Sequence, residues 1–186
     1  MDAQPLITLA EEAHTALSLM ILPDSRAHVA EISECNRRAT SVLADFHAES
    51  FKVFLPPLHR AAATSLAEAL HAYLSAVFSA ALLLQGHTMS PNENRTAEYE
   101  SLGRMSAQLV EAVTSLARYV RGKHPTPPDT FRFYKEAGLA RALHAKEILH
   151  SERSLHDRAT SESLAKITSA LREAYRATLI LMMESV

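Results

Sequence analysis

Apolar and polar residues recur along this chain with the period of a helix almost from end to end. The clearest stretch is Ala62, Leu66, Leu70, Tyr73, Val77, Ala81 and Leu84, at steps of 4, 4, 3, 4, 4 and 3. That spacing lines all of them along one side of a long helix. Leu102, Met105, Leu109, Val113, Leu116 and Val120 repeat the pattern at steps of 3, 4, 4, 3 and 4. A third clear seam, Leu164, Ile167, Leu171, Ala174, Thr178 and Leu181, runs toward the end of the chain.

Shorter patterns fill the intervals. Leu6, Leu9, Ala13, Ala16 or Leu17, and Met20 predict a first helix from about Leu6 to Ile21, between Pro5 and Pro23. A second is expected from an Asp24-Ser25 cap to about Lys52, on Val29, Ile32, Ala39, Leu43 and Phe46. The seven-residue gap after Ile32 leaves Asn36 at the missing seam position, where a polar residue reads as a register device or an interior amide. A fifth helix is expected from Asp129 or Thr130 to near Ala159, with the least regular apolar pattern of all, and Thr160-Ser161-Glu162 is the expected cap of the sixth.

Turn chemistry separates these segments. Pro56-Pro57 stops one helix and starts another, because neither residue donates a backbone hydrogen bond and the first is pushed out of the α region by the second. Gln85-Gly86 closes the third helix, Ser90-Pro91-Asn92-Glu93 has the form of a capping box, and Gly122 to Pro128 makes a second proline-rich corner. The two halves of the chain echo one another in layout, each a set of helices around a hard corner.

Composition agrees with a helical reading and narrows the function. The chain has 186 residues, 47% of them hydrophobic, and only 4 glycines. It is long enough for one core and short enough for one domain, so residues 1–186 read as a single all-α unit. A formal net charge of -2 gives no electrostatic case for nucleic acid or for an anionic membrane as main partner. The single cysteine, Cys35, has no internal disulfide partner, which points to a reducing compartment, and it reads as a small core residue. The longest uncharged apolar run, Ala72 to Leu84, falls short of the ~20 residues a membrane span needs. No direct membrane insertion and a cytoplasmic location are expected.

Catalytic signatures are absent: no Gly-rich phosphate loop, no Cys-x-x-Cys and no nucleophile elbow. Arg60 is expected to anchor the proline corner, and Arg118, Arg121, Lys123 and His124 to meet the carbonyls at a helix end. Three Glu-x-x-His pairs occur: Glu11/His14, Glu68/His71 and Glu147/His150. With Glu34 and Glu111, two of them follow the order of ligands in a ferritin-like di-metal bundle. That alternative, an oxidoreductase or metal store, requires its ligands to point inward. The 100° turn per residue instead carries Glu68, His71 and Glu111 away from the apolar seams of their helices.

The corner itself carries a family resemblance. Lys52, Phe54, Pro57 and Arg60, followed by Leu66-Ala67, Ala69-Leu70 and Leu74, resemble the Lys-x-Phe-x-x-Pro-x-x-Arg corner of the PhoU-like proteins. The accessory proteins of Pit-type phosphate transporters are the nearest group. The resemblance implies a bundle of about six helices in two three-helix repeats. It implies a cytoplasmic adapter or regulator of inorganic phosphate transport, not an enzyme, with a phosphate permease or its regulator as partner. Apolar residues on more than one face of the long helices, as around Ala76 to Leu84, add the expectation of a homo-oligomer, a homodimer.

The family's metal motifs are eroded here. The resemblance places Asn36 and Thr40 where the family has Glu and Asp, His71-Ala72 where it has an Asp-Asp pair, and Ala61-Ala62 where it has two further acids. Neutral groups and alanines do not make the oxygen-rich shell of a hard cation. In the second half Glu152-Arg153-Ser154-Leu155-His156 keeps the glutamate, so Glu152 and His156, at i and i+4, are the expected remnant of a weak divalent metal site. No other cofactor is expected.

Overall fold

Each apolar repeat folds as a helix. In the computed structural model, which describes residues 3–22, 25–50, 57–85, 93–122, 127–150 and 155–185, the order is α1 (Gln4–Met20), a 3-10 turn (Ser25–His28), α2 (Val29–Ser50), α3 (Pro57–Gln85), α4 (Glu93–Val120), α5 (Thr130–His150) and α6 (Leu155–Glu184). The protein is all-α, with six helices and no strand among the described residues.

The seams read from the sequence are the core. Leu66, Leu70, Tyr73, Val77, Ala81 and Leu84 of α3 are buried, as are Leu102 to Leu116 of the α4 seam and every seam residue of α6. In α2 the seam position between Ile32 and Ala39 is filled by buried Cys35, not by Asn36, which sits half-buried beside it. A thiol behaves there as a small apolar group, so the register needs no interior amide.

Local chemistry fixes the helix ends. Pro5 occupies the first turn of α1, where its missing N–H is not needed. The Arg132 N–H donates to Asp129 Oδ1 at 2.9 Å, so Asp129 caps α5. After α4, Gly122 takes φ +73° and its N–H donates to Tyr119 O at 2.9 Å, a left-handed closure that favours glycine. Pro57 opens α3, while Lys52, Phe54 and Pro56, Gly86 and the Ser90-Pro91-Asn92 signal lie outside the described residues.

One boundary differs from expectation. The fifth helix ends at His150 and α6 begins at Leu155, so Thr160-Ser161-Glu162 lies inside α6 and not at its start. Thr160 and Ser161 are buried against the bundle, and Ser161 Oγ accepts a bond from Arg95 of α4, so a tertiary partner replaces the capping role.

The packing divides the bundle into two triplets. α1, α2 and α3 all touch one another, α4, α5 and α6 do likewise, and the halves meet through α3 against α6 and α1 against α4. Exchanging α1 with α4, α2 with α5 and α3 with α6 leaves this scheme unchanged. α2 and α5 are the outer helices, each packed only within its own triplet among the described residues. Over His59–Gln85, α3 is long and apolar enough to cross a membrane by length and composition, contrary to the reading from its longest uncharged run. Here that apolarity is spent on contacts with α1, α2 and α6, as a central core helix requires.

Candidate functional site

The positions the resemblance singles out in the first half do come together. Thr40 Oγ1 lies 3.1 Å from His71 Nε2 across α2 and α3, and it also donates to Asn36 O at 2.8 Å. Asn36 Oδ1 is enclosed without a hydrogen-bond donor among the described residues. A hydroxyl and an imidazole meet there, the hydroxyl bonded to the Asn36 backbone carbonyl, and neither group is a carboxylate. That set does not fit a hard divalent cation, which needs several anionic oxygens.

The other expected ligands are scattered. Glu34 is held by two bonds from Arg37, at 2.8 and 2.6 Å, and Glu68 and Glu111 are exposed. Among the described residues no group of three or more His, Cys, Asp or Glu side chains is arranged to hold a metal ion. Glu152 lies outside the described residues, and His156 is described only as part of the backbone of α6.

The densest ionic site is elsewhere, buried between α4, α5 and α6. Arg95 Nη1 of α4 donates to Glu98 Oε2 at 3.1 Å, and its Nη2 reaches Ser161 Oγ of α6 at 3.0 Å and Glu147 Oε2 of α5 at 3.8 Å. His144 of α5 brings Nδ1 to 3.7 Å from Glu98 Oε1, beyond hydrogen-bond length. Glu98 is fully buried, and its Oε1 meets no hydrogen-bond donor among the described residues.

Its charge balance is uneven, with one guanidinium facing two carboxyl groups. Burial pushes the Glu98 carboxyl up to about 7, with Arg95 opposing the rise and Glu147 adding to it. Burial lowers His144, and Arg95 lowers it further. As the pH falls through neutrality the raised Glu98 carboxyl takes up a proton. Chemically the cluster clamps three helices and holds one proton.

Sequence reasoning passed over Arg95, Glu98 and His144, although a signal was present. The α4 seam continues backward from Met105 and Leu102 to Glu98 and Arg95, at steps of 3, 4 and 3. Charged residues in phase with a core seam are buried by the same geometry that buries leucines.

A second polar layer crosses the core where the halves meet. Tyr73 OH of α3 donates to Ser106 Oγ of α4 at 2.8 Å, and Ser106 Oγ lies 2.9 Å from His14 Nδ1 of α1. Burial lowers the His14 pKa, which favours the neutral ring, and the ring's tautomer sets which of the two groups donates. Ser106 is fully buried, which removes the serine–histidine pair from reach of a substrate. Nearby, Arg38 joins α2 to α1 through two bonds of 2.7 Å to Glu12. Burial and the adjacent Glu12 push the Cys35 thiol up to about 11, so it is no nucleophile at neutral pH.

Fold and sites together define an all-α, six-helix bundle of two triplets with an ionic cluster and a polar layer buried among its described residues. No protein-family model matches the chain, and no curated protein matches it.

Proposed function

We propose that this protein is a PhoU-like adapter that works by protein–protein contact in association with inorganic phosphate transport in the cytoplasm. One observation carries the reading: six helices packed as two triplets on a single repeating scheme, the layout that the resemblance at Pro57, Arg60, Leu66, Leu70 and Leu74 implies. The burial of Ser106, Cys35 and Glu98 supports contact over catalysis, because a catalyst must present its groups to a substrate.

The test is co-expression of the full chain with a Pit-type phosphate permease, purification in mild detergent, and phosphate uptake measured at matched permease levels. Co-purification with altered uptake is expected. A permease that purifies alone and transports at the same rate with and without the chain would remove the phosphate assignment.

A further inference from the structure

The outer helices offer an internal comparison. α2 and α5 hold equivalent places in the two triplets, and each turns one face outward. The exposed positions of α2 carry charges of both signs and hydroxyls, with alanine as their only apolar residue. Helix α5 is built differently. Its Phe131 is 80% exposed, and Tyr134, Gly138, Ala142 and Ala145 are exposed with it.

These residues form a strip. At 100° per residue they all lie within about 40° of Gly138, on a line roughly 20 Å long. Buried Phe133, Ala140 and Glu147 lie about 140° or more from the same line. The strip has aromatic rings at one end and small residues beyond them, and a Cβ added at Gly138 would meet nothing within 4 Å. Such a shape admits the backbone of another helix at close range.

Charge names the kind of helix. Among the described side chains the exposed charged residues of α5 are Arg132, Lys135, Arg141 and Lys146, all cations, with Arg141 on one side of the strip and Lys135 and Lys146 on the other. The acids of α5 are turned inward: Glu136 accepts from Ser101 at 3.1 Å and pairs with Arg104 at 3.0 Å, while Glu147 faces Arg95.

We propose that the outer face of α5 docks an acidic amphipathic helix of a partner protein. The partner's apolar seam lies along Phe131, Tyr134, Gly138, Ala142 and Ala145, and its carboxylates lie beside Lys135, Arg141 and Lys146. This rests on the reading that the protein acts by contact and adds where, and with what chemistry. A second copy of α5 would bring like charges together, which is unfavourable. An anionic lipid surface suits the cations and the exposed Phe131, Tyr134, Leu139 and Ile148, but the middle of the strip is glycine and alanine, a trough that a helix fills and a bilayer surface does not.

The experiment uses the full chain and a fluorescent helical peptide with a leucine seam flanked by glutamates, read by anisotropy, against the same peptide with lysines in place of the glutamates. Saturable binding of the glutamate peptide is expected, weakened at least about tenfold by the lysine exchange and by a rise from about 50 to about 500 mM NaCl. Gly138→Arg and the pair Lys135→Glu with Arg141→Glu are each expected to weaken it at least about tenfold. All three positions are exposed, and thermal melting checks that each variant remains folded.

Equal binding of both peptides, no binding, or full binding by Gly138→Arg overturns the proposal. So does a dimer in sedimentation that Gly138→Arg dissociates, or binding to phosphatidylglycerol vesicles that the same variant abolishes. Permease association untouched by Gly138→Arg sinks this docking face and leaves the adapter reading. Peptide binding without permease association does the reverse.

Discussion

Replacing Glu98 by glutamine isolates the buried proton. The Glu98 carboxyl titrates at about 7 in the folded protein, against 4.5 for an unperturbed group. Between those values the folded state keeps the proton and the unfolded state releases it. Stability contributed by Glu98 is therefore complete below the unfolded pKa and is lost as pH rises through the folded one. At ~1.36 kcal/mol per pKa unit, integrating the two titrations from about pH 5 to about pH 8 gives a loss of roughly 2–3 kcal/mol. Glutamine keeps the shape of the side chain and an acceptor for Arg95 but does not titrate. Its stability relative to the parent is expected to rise by that amount across the interval.

Other groups bend the raw profile and are removed by the comparison. Burial lowers His14, His71 and His144, so each contributes stability that is lost as pH falls, the opposite slope to Glu98. His14 and His71 are common to parent and variant and cancel in the difference. His144 faces Glu98 directly, so the pair of curves is repeated on a His144→Gln background. Urea unfolding followed by circular dichroism at closely spaced pH values gives the difference. In a chain of this size it corresponds to a melting shift of about 5–10 °C. A constant gap between parent and Glu98→Gln, or one that narrows as pH rises, refutes the assignment of the proton to Glu98.

Three further outcomes follow from the packing. Gly138→Ala is expected to stabilise the protein by about 0.5–1 kcal/mol, since Gly138 sits inside a helix with open space at its Cβ position, and a lowered melting temperature would show the outer face of α5 to be covered. Ser106→Ala leaves the fully buried Tyr73 hydroxyl without its acceptor and is expected to cost about 1–3 kcal/mol in urea unfolding. Adding Tyr73→Phe to it should then cost less than either change alone predicts, and simple additivity would remove the coupling between the two hydroxyls. Cys35, buried and pushed up to about 11, is expected to react with a disulfide reagent at about pH 8 only as the protein unfolds; prompt reaction in the native state contradicts its burial.

Where each helix has one apolar face, the fold was legible. Leu66 through Leu84, Leu102 through Leu116 and Leu164 through Leu181 state their helix and its buried side in the spacing alone, and the structure buries them. Cys35 reads as a small core residue and is one, but the α2 seam position was given to Asn36, because a seam read from aliphatic residues skips a thiol and stops at the polar residue beside it. The start of α6 was misplaced because Thr160 and Ser161 resemble a cap, whereas both are buried and the Ser161 hydroxyl accepts from Arg95 of another helix. The ionic cluster was missed for the same reason. Arg95 and Glu98 are in phase with the α4 seam, but Glu147 and His144 come from a helix whose pattern gave no single inner face.

That helix is α5, and its irregularity has a physical source. A helix packed on one side carries apolar residues on about a third of its circumference, and its period is plain. α5 carries Phe133, Ala137 and Ala140 inward and Phe131, Tyr134 and Ala145 outward, while Glu136 and Glu147 are drawn inside by Arg104 and Arg95. Two opposed apolar strips sum to almost no period at 100° per residue. The inner strip is anchored by Phe133, whose ring stacks on Tyr175 of α6 at 3.7 Å with the planes 5° apart. Tyr134 of the outer strip also packs on that stack, edge-on to Tyr175 at 6.2 Å, whereas Phe131 stays 80% exposed. An exposed phenylalanine and tyrosine ranked with small residues and bordered by cations cost solubility. Their place on the outer helix of one triplet, and their absence from the equivalent helix of the other, separates the two halves of a bundle that otherwise packs by one scheme.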